Sequence, residues 1–112
     1  MHQKDEIYIY DLSILSESLV GLGKAMTLLN IYFQKRDVYN RIAIPKSTLV
    51  TVLGVTAHTV SNWLRKLVRA GAIKYKYSGS ARLNPNLYFK GTREELERAM
   101  EEWTSFKGEM IR

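Results

Sequence analysis

Leu53-Gly54-Val55-Thr56 separates two apolar periodicities and forces a sharp corner between them. Upstream, Leu49, Val52 and Leu53 supply one face of a two-turn helix over Lys46 to Leu53. Downstream, Val60, Leu64 and Leu67 are spaced by four and by three. They mark the buried stripe of a longer helix from Ala57 to Ala70. Gly54 lets the backbone turn left-handed, Val55 plugs the corner, Thr56 caps the second helix, and Gly71 stands where a helix ends. Two short helices with facing apolar stripes and a tight corner make a helix-turn-helix. Trp63, at the edge of the stripe, reads as core.

After Gly71 the period changes to two. Ile73, Tyr75 and Tyr77 alternate with Lys74, Lys76 and Ser78; Ser78-Gly79-Ser80 is a tight turn, and Ala81 to Leu83 returns as a second strand. Asn84-Pro85-Asn86 bends the chain toward Leu87–Gly91. A last helix starts at Thr92, where Glu95 completes a capping box; its stripe is Leu96, Ala99/Met100, Trp103 and Phe106. Earlier in the chain, Ile7 to Leu12 is β-rich, Ser13 to Leu19 is a short helical candidate capped by Ser13, and Gly21 and Gly23 interrupt. From Lys24 a helix carries Leu28, Leu29, Ile31, Tyr32 and Phe33; Arg41 to Pro45 is a short strand. The expected fold is α+β, mainly α: a winged helix-turn-helix with a three-helix core, a β-hairpin wing and an added C-terminal helix. Its parts are an N-terminal extension (1–23), the central domain (24–91) and the C-terminal helix (92–112).

Charge adds a function to that outline. From Val38 to Arg93 there is no aspartate or glutamate, and there are ten Lys/Arg. The flanks are net acidic: four bases against five acids in 1–37, three against six in 94–112. The net +6 is therefore the remainder of a segregated distribution. Such a block suits a polyphosphate. On the second helix of the corner, the face opposite the buried stripe holds His58, Asn62, Arg65 and Arg69, flanked by Thr59, Ser61 and Lys66. The early turns of such a helix reach deepest into a major groove, which assigns His58, Ser61 and Asn62 to base edges. An asparagine can bond adenine N6 and N7 together. Arg65 reaches a base or a phosphate. Lys66 and Arg69 fall to phosphates, with Thr56 and Lys46 at the rim. In the hairpin, Lys74, Lys76 and Arg82 are expected along the backbone and Ser80 at the tip.

The same residues give little support to chemistry. His2 and His58 are the two histidines, and they are far apart. No phosphate-binding Gly-rich loop with Lys-Ser/Thr is present, and the acid-free centre offers no carboxylate pair for magnesium. None of the seven tyrosines has an identifiable base. The expectation is a non-enzymatic protein without metal or cofactor. With no cysteine there is neither a disulfide framework nor a thiolate zinc site. No signal-peptide core and no membrane-spanning run is seen, so the expected place is the cytoplasm or nucleoid, with no membrane partner.

Leu53 to Ile73, the short basic hairpin, and Leu83-Asn-Pro-Asn-Leu-Tyr-Phe-Lys-Gly91 resemble the RepL-type plasmid replication proteins. The segment Asn84-Pro85…Phe89-Lys90-Gly91 is the more specific part; Asp37 to Ile44 is similar to the family's link from first helix to strand. The resemblance implies a winged helix that binds replication-origin or promoter DNA of a plasmid or phage, with the recognition role on Ala57 through Arg69. The function expected is thus sequence-specific binding of double-stranded DNA in replication initiation or copy control. The alternatives are a small transcriptional repressor, or a winged-helix adaptor that binds replication or transcription proteins. A homodimer is expected through the narrow stripe Leu96, Met100 and Trp103, reinforced by Ile7 to Tyr10; the alternative is that this stripe folds back on the chain's own core.

Overall fold

The computed structural model describes residues 6–17 and 19–109. In chain order it runs β1 (Glu6–Tyr10), a single 3-10 turn (Leu12–Ile14), α1 (Leu19–Leu22), α2 (Ala25–Lys35), β2 (Arg41–Ala43), α3 (Lys46–Leu53), α4 (Ala57–Arg69), β3 (Ile73–Tyr75), β4 (Ser80–Leu83), β5 (Tyr88–Thr92) and α5 (Arg93–Ser105). It is an α+β protein, about half helical, with two small antiparallel sheets.

Pro45 and Gly54 bracket α3. Proline lacks the N–H that a first turn leaves unpaired, so it sits at the N-cap without loss. Gly54 takes φ +66° and donates its N–H to Val50 O, a left-handed stop that most side chains resist. Thr56 then caps α4 by accepting from Thr59 N at 3.1 Å. Leu49 is buried while Val50, Leu53 and Val55 pack partly against the core. Val52, expected on the inner face, is 65% exposed. The buried arc runs from Leu49 toward Leu53 and Val50, and Val52 falls off its other side.

The core lies where α1 and α2 meet α4 and the inner face of the three-stranded sheet β2-β4-β3. Leu22, Leu28, Leu29, Tyr32, Leu64 and Leu67 fill it from the helices; Ile42, Ile73, Tyr75, Ala81 and Leu83 fill it from the strands. Alternation puts Lys74, Ser80 and Arg82 on the sheet's other face. Tyr77 lies past the end of β3 and is 55% exposed, so the expected alternation stops at Tyr75. The β2–β4 register runs on to the tip of the hairpin, where Gly79 O accepts from Ile44 N at 3.2 Å. A Cβ on Gly79 would stand 2.8 Å from Ile44 O, so only glycine fits there.

β1 pairs with β5 along its whole length, Glu6 opposite Thr92 and Tyr10 opposite Tyr88. The start of the chain is thereby woven into the segment before α5. Two details of this region differ from the sequence reading. Asp11, not Ser13, caps the 3-10 turn, accepting from Ser13 N; and helix appears only from Leu19. The capping box forms as expected, with Thr92 N donating to Glu95 Oε1 at 2.9 Å and Glu95 N to Thr92 Oγ1 at 3.1 Å. α5 then packs on β5, β1 and β4, and Ala99 is fully buried beneath it.

Candidate nucleic-acid interface

The outer face of α4 is built by helix geometry. His58, Asn62, Arg65 and Arg69 fall within about 60° of one another around the axis. His58, Lys66 and Arg69 are exposed; Ser61, Asn62 and Arg65 are half-buried. Two contacts order this surface. Lys46, at the start of α3, donates from Nζ to Ser61 Oγ at 3.0 Å and joins the two helices of the corner. Arg65 donates from Nη1 to Asn62 Oδ1 at 2.7 Å. A guanidinium can only donate, so this bond fixes which end of the Asn62 amide faces it. The Asn62 NH2 then leads outward, and an adenine N6 donor would have to share Oδ1 with Arg65. Thr56 and Thr59 satisfy each other, hydroxyl to hydroxyl at 3.0 Å, beside the cap.

The basic face of the hairpin is in a different situation. α5 and the residues after it lie across it. Lys74 Nζ sits 4.6 Å from the centre of the Trp103 ring and donates to Trp103 O at 2.6 Å. Lys76 and Arg82 sit over the Phe106 ring at 4.8 and 4.5 Å. Glu102 stands between Arg82 at 3.4 Å and Arg41 at 3.6 Å. Glu109 N donates to Tyr75 O at 2.7 Å along the edge of β3, and its carboxylate accepts from Tyr77 N. Ser80 lies beside the hairpin's turn, as expected, within 3.5 Å of Arg82 Nη1. Of the α5 residues named for pairing, Trp103 is engaged within its own chain, while Leu96 and Met100 are half-buried. Glu102, on the acidic helix, points into the basic block.

A third cluster escaped the sequence reading. Asn40 is buried with φ +60°; its side-chain amide donates to Leu83 O and to Tyr88 O, at 3.2 and 2.8 Å, and accepts from Arg36 at 3.1 Å. Arg36 also donates to Lys90 O and lies over the Tyr88 and Phe89 rings. Asp37 accepts from Tyr39 N and from Arg41 N and Nε. Burial alone would raise the Asp37 carboxyl, but these donors outweigh it and hold it below the ordinary carboxylate range. The hub locks the α2–β2 link to β4 and β5. Asn84 works with it, donating to Gly71 O at 2.9 Å and accepting from Asn86 N. The signal for Asn40 was local: asparagine tolerates the left-handed region better than most residues.

Taken together, these features define an α+β domain whose second corner helix presents a basic face and whose hairpin is backed by an acidic helix. The chain belongs to the RepL family: the family model described as Firmicute plasmid replication protein (RepL) matches residues 5–111. No curated protein and no solved structure gives a match. Asn84, Phe89 and Gly91, the residues that carried the resemblance, are structural here. Phe89 is buried, and Gly91 leaves room for the Glu95 carboxylate of the capping box, which a Cβ would meet at 2.8 Å. Among the described residues no helix is long and apolar enough to cross a membrane.

Proposed function

We propose that this plasmid replication protein acts as a winged-helix, sequence-specific binder of double-stranded DNA, with α4 as the recognition helix and β3–β4 as a short wing. The observation that carries the reading is the outer face of α4. His58, Asn62, Arg65 and Arg69 form one stripe, on a segment without a single carboxylate from Val38 to Arg93. Ser61, Asn62 and Arg65 are the base readers; Lys46, Lys66 and Arg69 meet phosphates; His58, Thr56 and Thr59 stand at the entry to the groove. In this reading the protein contributes binding and positioning at an origin, and no catalytic step.

The Arg65–Asn62 bond sharpens the base preference. The pair leads with N–H donors, which match the O6 and N7 acceptors of guanine. Selection of duplexes from a random pool tests both levels of the reading. A recovered consensus, with guanine where Asn62→Ala or Arg65→Ala relaxes the preference, is the expected result. A pool that stays random after repeated rounds contradicts sequence-specific binding.

A further inference from the structure

The two edges of the β1–β5 sheet are treated in opposite ways. Asp11 N donates to Leu87 O at 2.8 Å, and this pair continues the β1–β5 register. Hydrogen-bonded pairs alternate along an antiparallel ladder. Ile9 with Phe89 and Ile7 with Gly91 are therefore bonded pairs. Glu6, Tyr8 and Tyr10 turn their N–H and C=O groups away from β5, and Tyr88, Lys90 and Thr92 turn theirs away from β1. Most of the second set is closed within the chain, with Tyr88 N donating to Asn84 O at 3.1 Å. Asn40 bonds Tyr88 O, Arg36 bonds Lys90 O, and Glu95 bonds Thr92 N. For the first set, no main-chain bond beyond the β1–β5 ladder is seen among the described residues. Natural sheets ordinarily blunt such an edge.

We propose that β1 is the seam of a homodimer, in which two copies of this chain pair Glu6–Tyr10 antiparallel about a two-fold axis at Tyr8. The register follows from which groups point outward. Tyr8 meets the partner's Tyr8 as a bonded pair, and Glu6 meets the partner's Tyr10, giving up to about six main-chain bonds. Charge agrees. Glu6 is the one charged residue of β1, it faces a tyrosine across the seam, and Lys90 stands 3.8 Å from its carboxylate in the same chain. No like charges oppose each other. The exposed rings agree too: Tyr8 and Tyr10 are 61% and 54% exposed on the face that carries Tyr88 and Phe33. Pairing lays the two aromatic clusters side by side. The inference stands apart from DNA binding and places the two-fold on β1 rather than on α5, whose Trp103 is engaged within its own chain.

The chain has no cysteine, so single replacements report the seam directly. In the bonded pair the two Tyr8 Cα atoms lie about 5.5 Å apart, within disulfide reach. The two Tyr10 Cα atoms lie about 14 Å apart, out of reach. Full-length Tyr8→Cys, Tyr10→Cys and Met100→Cys are oxidised at tens of micromolar and run on a non-reducing gel, beside sedimentation of the unsubstituted protein. The expected result is a dimer in sedimentation and a disulfide at Tyr8→Cys that forms at least about tenfold faster than at the other two. Tyr8→Pro removes an outward N–H without touching the bonds to β5, and it should weaken the dimer while leaving helical circular dichroism unchanged. A monomer in sedimentation overturns the seam. So does equal crosslinking at Tyr8 and Tyr10, or crosslinking at Met100 alone.

Discussion

The outer face of α4 and the outer face of the hairpin are both basic in sequence, yet the fold uses them differently. On α4, Lys66 and Arg69 extend into solvent, and Arg65 is held by an amide. On the hairpin, Lys74, Lys76 and Arg82 lie against Trp103, Phe106 and Glu102. A cation over an aromatic ring and beside a carboxylate has already exchanged part of its hydration for protein. It must give up those contacts before it can neutralise a phosphate. Charge in a sequence therefore counts the cations without telling which of them are available.

The largest expected effect is on the α4 side. Arg65→Ala should cost about 1–3 kcal/mol on the preferred duplex, by loss of a base contact and of the clamp on Asn62, with the thermal midpoint unchanged. Fluorescence anisotropy with selected and scrambled duplexes measures it; an equal loss on both would move Arg65 from reading to phosphate binding. On the hairpin side the order reverses. Trp103→Ala should lower stability by about 2 kcal/mol, since a half-buried indole and its cation contact are lost, with little change in duplex affinity after correction for folding. Urea titration followed by circular dichroism gives the number.

Arg82→Ala should destabilise by about 1 kcal/mol, because Glu102 loses a partly buried partner. If it weakens DNA binding more than it weakens the fold, the hairpin cations are not committed to α5. The smallest effect concerns acid. Asp37 is held below its ordinary range, so it contributes stability that is fully present above the unfolded carboxylate value and is lost as pH falls through the folded one. Its side chain is 39% exposed, so solvent screening keeps the contribution small. Asp37→Asn should flatten that part of the stability profile below about pH 4, as thermal melts across acid pH would show.

The legible parts of the fold were those fixed by neighbours in sequence. Pro45 and Gly54 bound α3, Thr56 and Gly71 bound α4, and Thr92 with Glu95 starts α5, because caps act within one turn. The alternation from Ile73 to Tyr75 likewise gave the hairpin's buried face. What stayed hidden was long-range. The pairing of Glu6–Tyr10 with Tyr88–Thr92 joins segments about eighty residues apart, and a β-rich pentamer does not name its partner. The stripe expected to pair on α5 is Leu96, Met100 and Trp103; its periodicity did not show that Trp103 and Phe106 lie against the basic hairpin. Their partners turned out to be the stems and charges of lysines and an arginine, which periodicity counts as polar. For the candidate site, helix geometry alone set the α4 stripe. The Lys46–Ser61 and Arg65–Asn62 bonds needed the structure.

Salt dependence of duplex binding tests the central claim most directly, measured on the unsubstituted protein, Lys66→Ala and Lys74→Ala. Each neutralised phosphate contributes roughly 0.9 to the slope of log K against log salt. With Lys46, Lys66 and Arg69 as the phosphate-binding cations, the slope should be about −3 per subunit. Lys66→Ala should reduce it by about 1, and Lys74→Ala should leave it unchanged once folding is matched. A flat slope, or an equal reduction by both substitutions, would contradict the account.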